Sequence, residues 1–209
     1  MMASALIERD QEARPFPLRS GCFVAVVGPS GAGKDTLLDH ARRALAEEPD
    51  IHFVRRVVTR APVPGNEDHA TLSEAAFAAA EAGGAFAISW RAHGLSYGLP
   101  VEIDRHMAAG MAVVGNLSRA AVPLLQQRFA NVVVALVTAD PEILADRLAG
   151  RGRETREEIL ARLSRLSGEA GRVPRAIEIA NNGKPDEAGR QLVGLIRRAL
   201  ARAAVSDIV

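Results

Sequence analysis

The chain has 209 residues, 48% hydrophobic and 24% charged, enough for one domain with a sizeable apolar core and unlike a disordered or fibrous protein. Its 26 basic residues balance 25 acidic ones to a formal charge of +1, so no field covers the molecule and nucleic acid is not an expected partner. The single cysteine, Cys22, excludes an intrachain disulfide framework; no run approaches a membrane span and the charged start MMASALIERDQEARPFPLRS does not read as a signal peptide, so the expectation is a cytoplasmic protein without a membrane partner.

Residues 1–20 read as a polar lead-in and 21–209 as one domain. The apolar run CFVAVV, from Cys22 to Val27, predicts a buried parallel strand. GPSGAG then opens a helix predicted over 34–46, with Leu38, Ala41 and Leu45 on one face. HFVRRVVT predicts a second strand, and RAPVPGNEDH a loop. Ser73 caps a short alanine-rich helix, which Gly83 and Gly84 stop before a strand at AFAISW. RAHGLSYGLP reads as a glycine-bearing connection to a helix near 101–109, followed by a core strand at MAVVG. A helix around 120–128 contains Pro123, which marks either its start or a distortion.

NVVVALVT reads as the clearest buried strand, and Asp140 with Pro141 opens a helix whose buried side is Ile143, Leu144 and Leu148. Thr155 and Glu158 form a capping box ahead of EILARLSRL, with Ile159, Leu163 and Leu166 at helical spacing. A short strand at AIEI and a last helix from Pro185 through Leu200 complete the chain. Strands alternating with helices imply an α/β fold, a parallel sheet covered on both faces as a three-layer sandwich.

The motif is GPSGAGKDT: Gly28, Pro29, Ser30, Gly31, Ala32, Gly33, Lys34, Asp35 and Thr36, between strand and helix. Its glycines let backbone N–H groups turn around a phosphate, Lys34 compensates charge on terminal phosphates, and the helix start adds donors. A nucleotide's phosphates are the expected ligand, with a purely structural turn as the alternative. Asp35 stands where a hydroxyl normally meets the metal. It either organises hydrated Mg²⁺ or serves the first helical turn as a cap or favourable charge. Thr36 cannot simply replace it, because one residue turns a side chain about 100° around a helix.

A kinase also needs a second anion site facing the donor. Arg55, Arg56 and Arg60 surround the second predicted strand, and strand alternation keeps Arg55 and Arg56 from sharing a face. Arg60 is the favoured acceptor ligand. Glu67, Asp68 and His69 either bond a sugar and order the arginines or form an ordinary polar loop. Tyr97, the only tyrosine, offers a phenolic donor; Trp90 reads as core packing, and His93 as a weaker contact. Arg147, Arg151, Arg153 and Arg162 frame a glycine-bearing break between helices, suited to a lid around 147–166 that excludes water; Arg147 and Arg151 are preferred.

GPSGAGKD, VVTRAPVPGNEDHATLSEAAF, HGLSYG, RLAGRGRETREEILARL and IANNG together resemble the guanylate-kinase-like P-loop kinase family over residues 22–199. The resemblance implies a P-loop kinase with a helical lid, ATP and Mg²⁺ as cofactors, Gly28 to Lys34 on the ATP phosphates, Arg60 and Tyr97 on the acceptor phosphate, and Arg147 and Arg151 in the lid. Asn181 and Asn182 fall near the base by the same resemblance, although NNG is also a simple turn. Within the branch, GKD is similar to the ribose-bisphosphate kinases of phosphonate breakdown, whose acceptor is a small phosphorylated sugar. Guanylate kinases carry a hydroxyl after the lysine, small hydroxyl residues in the strand before TR, and an aspartate where VVGNLSRA has Asn116. Arg56 replaces a guanine-reading serine with a cation, which suits a sugar bearing two phosphates.

The implied reaction is ATP-dependent phosphorylation of α-D-ribose 1,5-bisphosphate to 5-phospho-α-D-ribose 1-diphosphate. The alternatives are phosphorylation of GMP and a noncatalytic nucleotide-binding interaction module. Nothing in the sequence sets an oligomeric state.

Overall fold

The computed structural model describes residues 21–60, 69–92, 94–150, 156, 158–160 and 173–206. Its elements are β1 (Cys22–Val27), α1 (Lys34–Ala44), β2 (Ile51–Phe53), β3 (Val57–Val58), β4 (Ala70–Thr71), α2 (Glu74–Ala82), β5 (Phe86–Ala92), β6 (Leu95–Pro100), α3 (Ile103–Ala108), β7 (Ala112–Asn116), α4 (Val122–Arg128), β8 (Val132–Thr138), α5 (Pro141–Ala149), β9 (Ile177–Ala180) and α6 (Pro185–Ser206). The predicted lead-in, Thr155, Leu163 and Leu166 lie outside the described residues.

Five strands form a parallel sheet in the order β2-β7-β1-β8-β9. β1 is central and buried along its whole length, because its pleat feeds two cores at once. Cys22, Val24 and Val26 join the core built with α1 and α6, including Leu37, Ala41, Leu192 and Ile196. Phe23, Ala25 and Val27 join the core of the opposite face, with Met107 of α3 and Leu125 of α4. The expected covered parallel sheet is therefore present, and the Cys22 thiol is pushed up to about 11 by burial. NVVVALVT does form β8, but β8 is only half-buried at several positions and β1 is the better-covered strand.

Several local expectations hold. Ser73 Oγ accepts a hydrogen bond from Ala76 N at the start of α2, and Pro123 lies in the first turn of α4, so it marks that helix's start. Asp140 precedes α5 as predicted but its side chain makes no cap bond. Asp104 of α3 takes Arg128 of α4 into a mostly buried ion pair that ties these two helices together.

Two expectations are corrected. HFVRRVVT is not one strand: β2 pairs with β7, and β3 pairs with β6 in a separate four-stranded sheet ordered β4-β3-β6-β5. Arg55 and Arg56 occupy the crossing, because the apolar residues on either side of them enter different sheets. RAHGLSYGLP is not a bare connection either. Leu95–Pro100 is β6, antiparallel to β5, with Gly94 in the turn at φ 72°. Gly98 does not break the strand; a Cβ there would stand 2.6 Å from the Phe86 ring, so glycine is what permits the close packing. β4 emerges from the end of the predicted loop and pairs parallel with β3.

Candidate active site

The loop after β1 turns through positive φ at Gly28 (150°), Gly31 (85°) and Gly33 (90°), and Gly33 delivers the chain into α1. Space as well as φ demands glycine at 33, where a Cβ would come within 2.4 Å of Asn181 Nδ2. The loop's carbonyls are held by side chains. Lys34 Nζ donates to Gly28 O (2.9 Å) and Pro29 O (3.0 Å), and Asn181 Nδ2 donates to Ala32 O (2.8 Å). Arg147 reaches Gly31 O and donates to Asn181 O at 3.0 Å. The first-turn N–H groups of α1, which have no partner within a helix, therefore begin at a rigidly braced loop.

A cleft of about 600 Å³ opens in front of that loop. Gly28, Ser30, Gly31, Gly33, Lys34, Asp35 and Thr36 line one side, and Arg56, Arg60 and Tyr97 another. Tyr97 lies opposite Val58 in the small sheet, so β3 and β6 bring the tyrosine beside the arginines. The Arg56 guanidinium sits 5.3 Å from the centre of the Tyr97 ring and donates to Asn116 O at 3.1 Å. Tyr97 in turn stacks on buried Trp90 at 5.3 Å and 9°, which places Trp90 as packing behind the acceptor wall.

The join between β3 and β6 is pinned next to these residues. Thr59 N donates to Ser96 O, Ser96 N donates to Thr59 Oγ1 (2.9 Å), and Ser96 Oγ donates to Glu74 (3.0 Å). Hydrogen bonds from Thr59 and Ser96 hold the Glu74 carboxyl below the usual carboxylate range. The β5 wall has a similar clasp: Arg91 and Ser89 both donate to Glu81, and the arginine holds that carboxyl down as well.

Asp35 faces β7. Asn116 Nδ2 donates to Asp35 Oδ1 at 2.7 Å, fixing one carboxylate oxygen and leaving the other available to a cation. Among the described residues no cluster of three or more His, Cys, Asp or Glu side chains forms a cage for a metal. Mg²⁺ does not need one when phosphates and water complete its shell, and a single oriented carboxylate fits that mode.

Not every predicted residue faces the cleft. Pro29 and Ala32 shape the loop from within, and Arg147 braces it from behind rather than lining the cleft. Asp68 and Arg151, like His93, Arg153 and Arg162, lie outside the described residues. Asn182 Oδ1 accepts from Asp140 N just before α5, while Asn181 of the same IANNG segment holds the phosphate loop. Sequence reasoning missed Asp39, Arg42, Phe53 and Ser118, which also line the cleft. Asp39 and Arg42 stand four and seven residues after Asp35, a helical spacing that points to one face of α1.

Across its full length the chain is 48% identical to ribose 1,5-bisphosphate phosphokinase PhnN of Chelativorans sp. (strain BNC1), covering 100% of both proteins. The chain belongs to the ribose 1,5-bisphosphate phosphokinase family. A family protein from Acidiphilium cryptum (strain JF-5) is 52% identical over 180 residues, 86% of this chain and 94% of its own. No protein-family model matches the chain. A guanylate kinase from Anaplasma phagocytophilum superposes with a TM-score of 0.60 over 86% of each chain at 17% identity, a likeness of fold. The chain thus has the α/β kinase fold with its parallel core sheet, and as a member of this family it is an ATP-dependent phosphotransferase. No helix among its described residues is long and apolar enough to cross a membrane.

Proposed function

We propose that the protein transfers the terminal phosphoryl group of ATP to the C1 phosphate of α-D-ribose 1,5-bisphosphate, making 5-phospho-α-D-ribose 1-diphosphate and ADP in phosphonate breakdown. The observation that carries this reading is the cleft lined both by the phosphate loop and by Arg56, Arg60 and Tyr97. A guanine would need hydrogen-bonding acceptors and small hydroxyls where this cleft presents the Arg56 guanidinium and Asn116. A phosphorylated sugar is matched by those same groups.

In this reaction an oxygen of the C1 phosphate forms the new bond to the γ-phosphorus while the bond to the β–γ bridging oxygen breaks, its electron pair leaving with ADP. The nucleophile is already an oxyanion, so no side chain has to remove a proton. Loop N–H groups and Lys34 hold the transferring end of ATP, and Lys34 offsets charge as it builds on the leaving oxygen. Arg60 and Tyr97 aim the acceptor phosphate, with Arg56 beside them. Asp35, oriented by Asn116, is the residue for Mg²⁺, which supplies charge neutralisation at the phosphate oxygens when bound. Residues 21–209 act as one kinase domain, in which Asp68 is assigned to the sugar, Arg151 and the 147–166 lid to excluding water from the phosphates, and Arg147 to bracing the loop that holds ATP.

The deciding measurement is product formation with ribose 1,5-bisphosphate and with GMP under the same ATP and Mg²⁺ conditions. Turnover of the sugar bisphosphate with little or none of GMP is expected; preferential turnover of GMP would make this a guanylate kinase, and turnover of neither would leave a nucleotide-binding module. For the metal, Asp35→Asn should weaken Mg²⁺-dependent binding of a nonhydrolysable ATP analogue by about 10-fold while leaving metal-free binding unchanged. Equal Mg²⁺ dependence in both proteins would remove Asp35 from that role.

A further inference from the structure

The acceptor assigned above carries two phosphates, and only the one at C1 receives the phosphoryl group. The C5 phosphate lies across the sugar ring, away from the loop, and enters the same cleft as a dianion. Burying it there without its own cation would be costly. Among the described residues that line the cleft the cationic side chains are Lys34, Arg42, Arg56 and Arg60. Lys34 is bonded to the loop, and Arg56 and Arg60 stand with Tyr97 on the wall that faces it. Arg42 is the one placed elsewhere.

Arg42 lies eight residues after Lys34 on α1, about 12 Å farther along the helix axis at the helical rise of 1.5 Å per residue. That separation accommodates a transferring phosphate, an acceptor phosphate and a ribose ring in line. Its guanidinium is fixed at two points. Nη1 donates to Asp39 Oδ1 at 3.2 Å, and the guanidinium carbon sits 5.6 Å from the centre of the Phe53 ring, where β2 ends at the cleft. With 33% of the side chain still accessible, the fork keeps donors for a ligand while Asp39 and Phe53 limit its freedom.

We infer that Arg42 is the subsite for the C5 phosphate of the acceptor, held in place by Asp39 and Phe53, and that it selects a sugar bisphosphate over a monophosphate. The inference rests on the reaction assigned above. Charge and reach both follow from α1: the helix that begins at the donor phosphates presents Asp35, Asp39 and Arg42 along one side of the cleft, so a single rigid element measures the distance from the transferring group to the far end of the acceptor.

The test is a two-by-two comparison of kcat/KM for wild type and Arg42→Gln, each with ribose 1,5-bisphosphate and with ribose 1-phosphate, which lacks only the far phosphate. Arg42→Gln should lower kcat/KM for the bisphosphate about 10- to 100-fold, almost wholly through KM, and leave kcat/KM for ribose 1-phosphate and KM for ATP unchanged. Arg42→Lys should recover part of the loss, since a point charge survives but the fork does not. Equal losses with both acceptors, or no loss with either, would overturn the role of Arg42. A wild type inert toward ribose 1,5-bisphosphate would instead overturn the assigned reaction itself. Unchanged melting temperatures for both variants separate loss of the contact from loss of the fold.

Discussion

The two sides of the cleft are built in opposite ways. The donor side is one continuous piece of chain, β1, loop and α1, so the residues that line it there follow one another in sequence even though distant residues brace them. The acceptor side is assembled from Arg56 at a strand crossing, Arg60 just after β3, Tyr97 on β6 and the end of β7, and it exists only because strands of two sheets bring their residues to one cleft. A contiguous site can be recognised by spacing, whereas an assembled one is recognisable only by the chemistry of residues whose meeting is unknown. The difference also predicts how each side fails: the donor side through single groups with large effects, the acceptor side through several contacts that share the load.

The strongest way to break this contrast is Lys34→Ala. Removing its charge from the transferring phosphates should cost on the order of 10²–10³-fold in kcat with any acceptor, measured by steady-state kinetics at saturating ATP. A loss confined to the acceptor KM would mean that Lys34 does not serve the donor. Tyr97→Phe comes next. It keeps the stack on Trp90 and the face offered to Arg56 while deleting the hydroxyl, so acceptor KM should rise about 10-fold with ATP KM and melting temperature unchanged. An unaffected acceptor KM would reduce Tyr97 to packing.

The smallest effect should appear in stability and leave both sides of the cleft alone. Strand alternation turns His52 to the other face of β2 from Phe53, and it stacks on His106 of α3 at 4.0 Å and 15°. Burial first, and then the neighbouring His106, push His52 below the ordinary histidine value, against a smaller opposing pull from Glu102. The fold thus favours neutral His52. Its contribution is intact above about pH 6.5 and is lost as pH falls through the lowered folded value, because the unfolded chain takes up the proton more readily. Melting temperature should drop by a few degrees between pH 7.5 and 5.5, and His52→Gln should flatten that slope without altering kcat at pH 7.5. A steeper slope in the variant would reverse the assigned sign.

Legibility followed the same division. CFVAVV and GPSGAGKD announced β1, the loop and α1 because an apolar run, enforced positive φ and a helix start are local properties. HFVRRVVT misled because a strand propensity does not say which sheet a strand joins, and RAHGLSYGLP misled because Gly98 is there for the Phe86 ring rather than to end a strand. Asn116 was visible as a departure from guanylate kinases, but the sequence read it as a lost contact to guanine. The fold turns it toward Asp35, so the hydroxyl and the acid that guanylate kinases carry at these two places are replaced here by an acid and an amide in direct contact.

By itself the sequence determined a glycine-rich loop of phosphate-binding spacing at the end of β1, and the family resemblance with its cation at position 56 pointed from a base toward a sugar bisphosphate. Tertiary structure alone decided that Arg56 and Tyr97 touch, that Asn181 and Arg147 stiffen the loop, and that Arg42 shares one cleft with Arg56 and Arg60. The physical reason is range. Backbone dihedrals and helical spacing act over a few residues and can be read from them, whereas the contacts of Arg56, Arg147 and Asn181 join positions dozens of residues apart and depend on how strands and helices pack together.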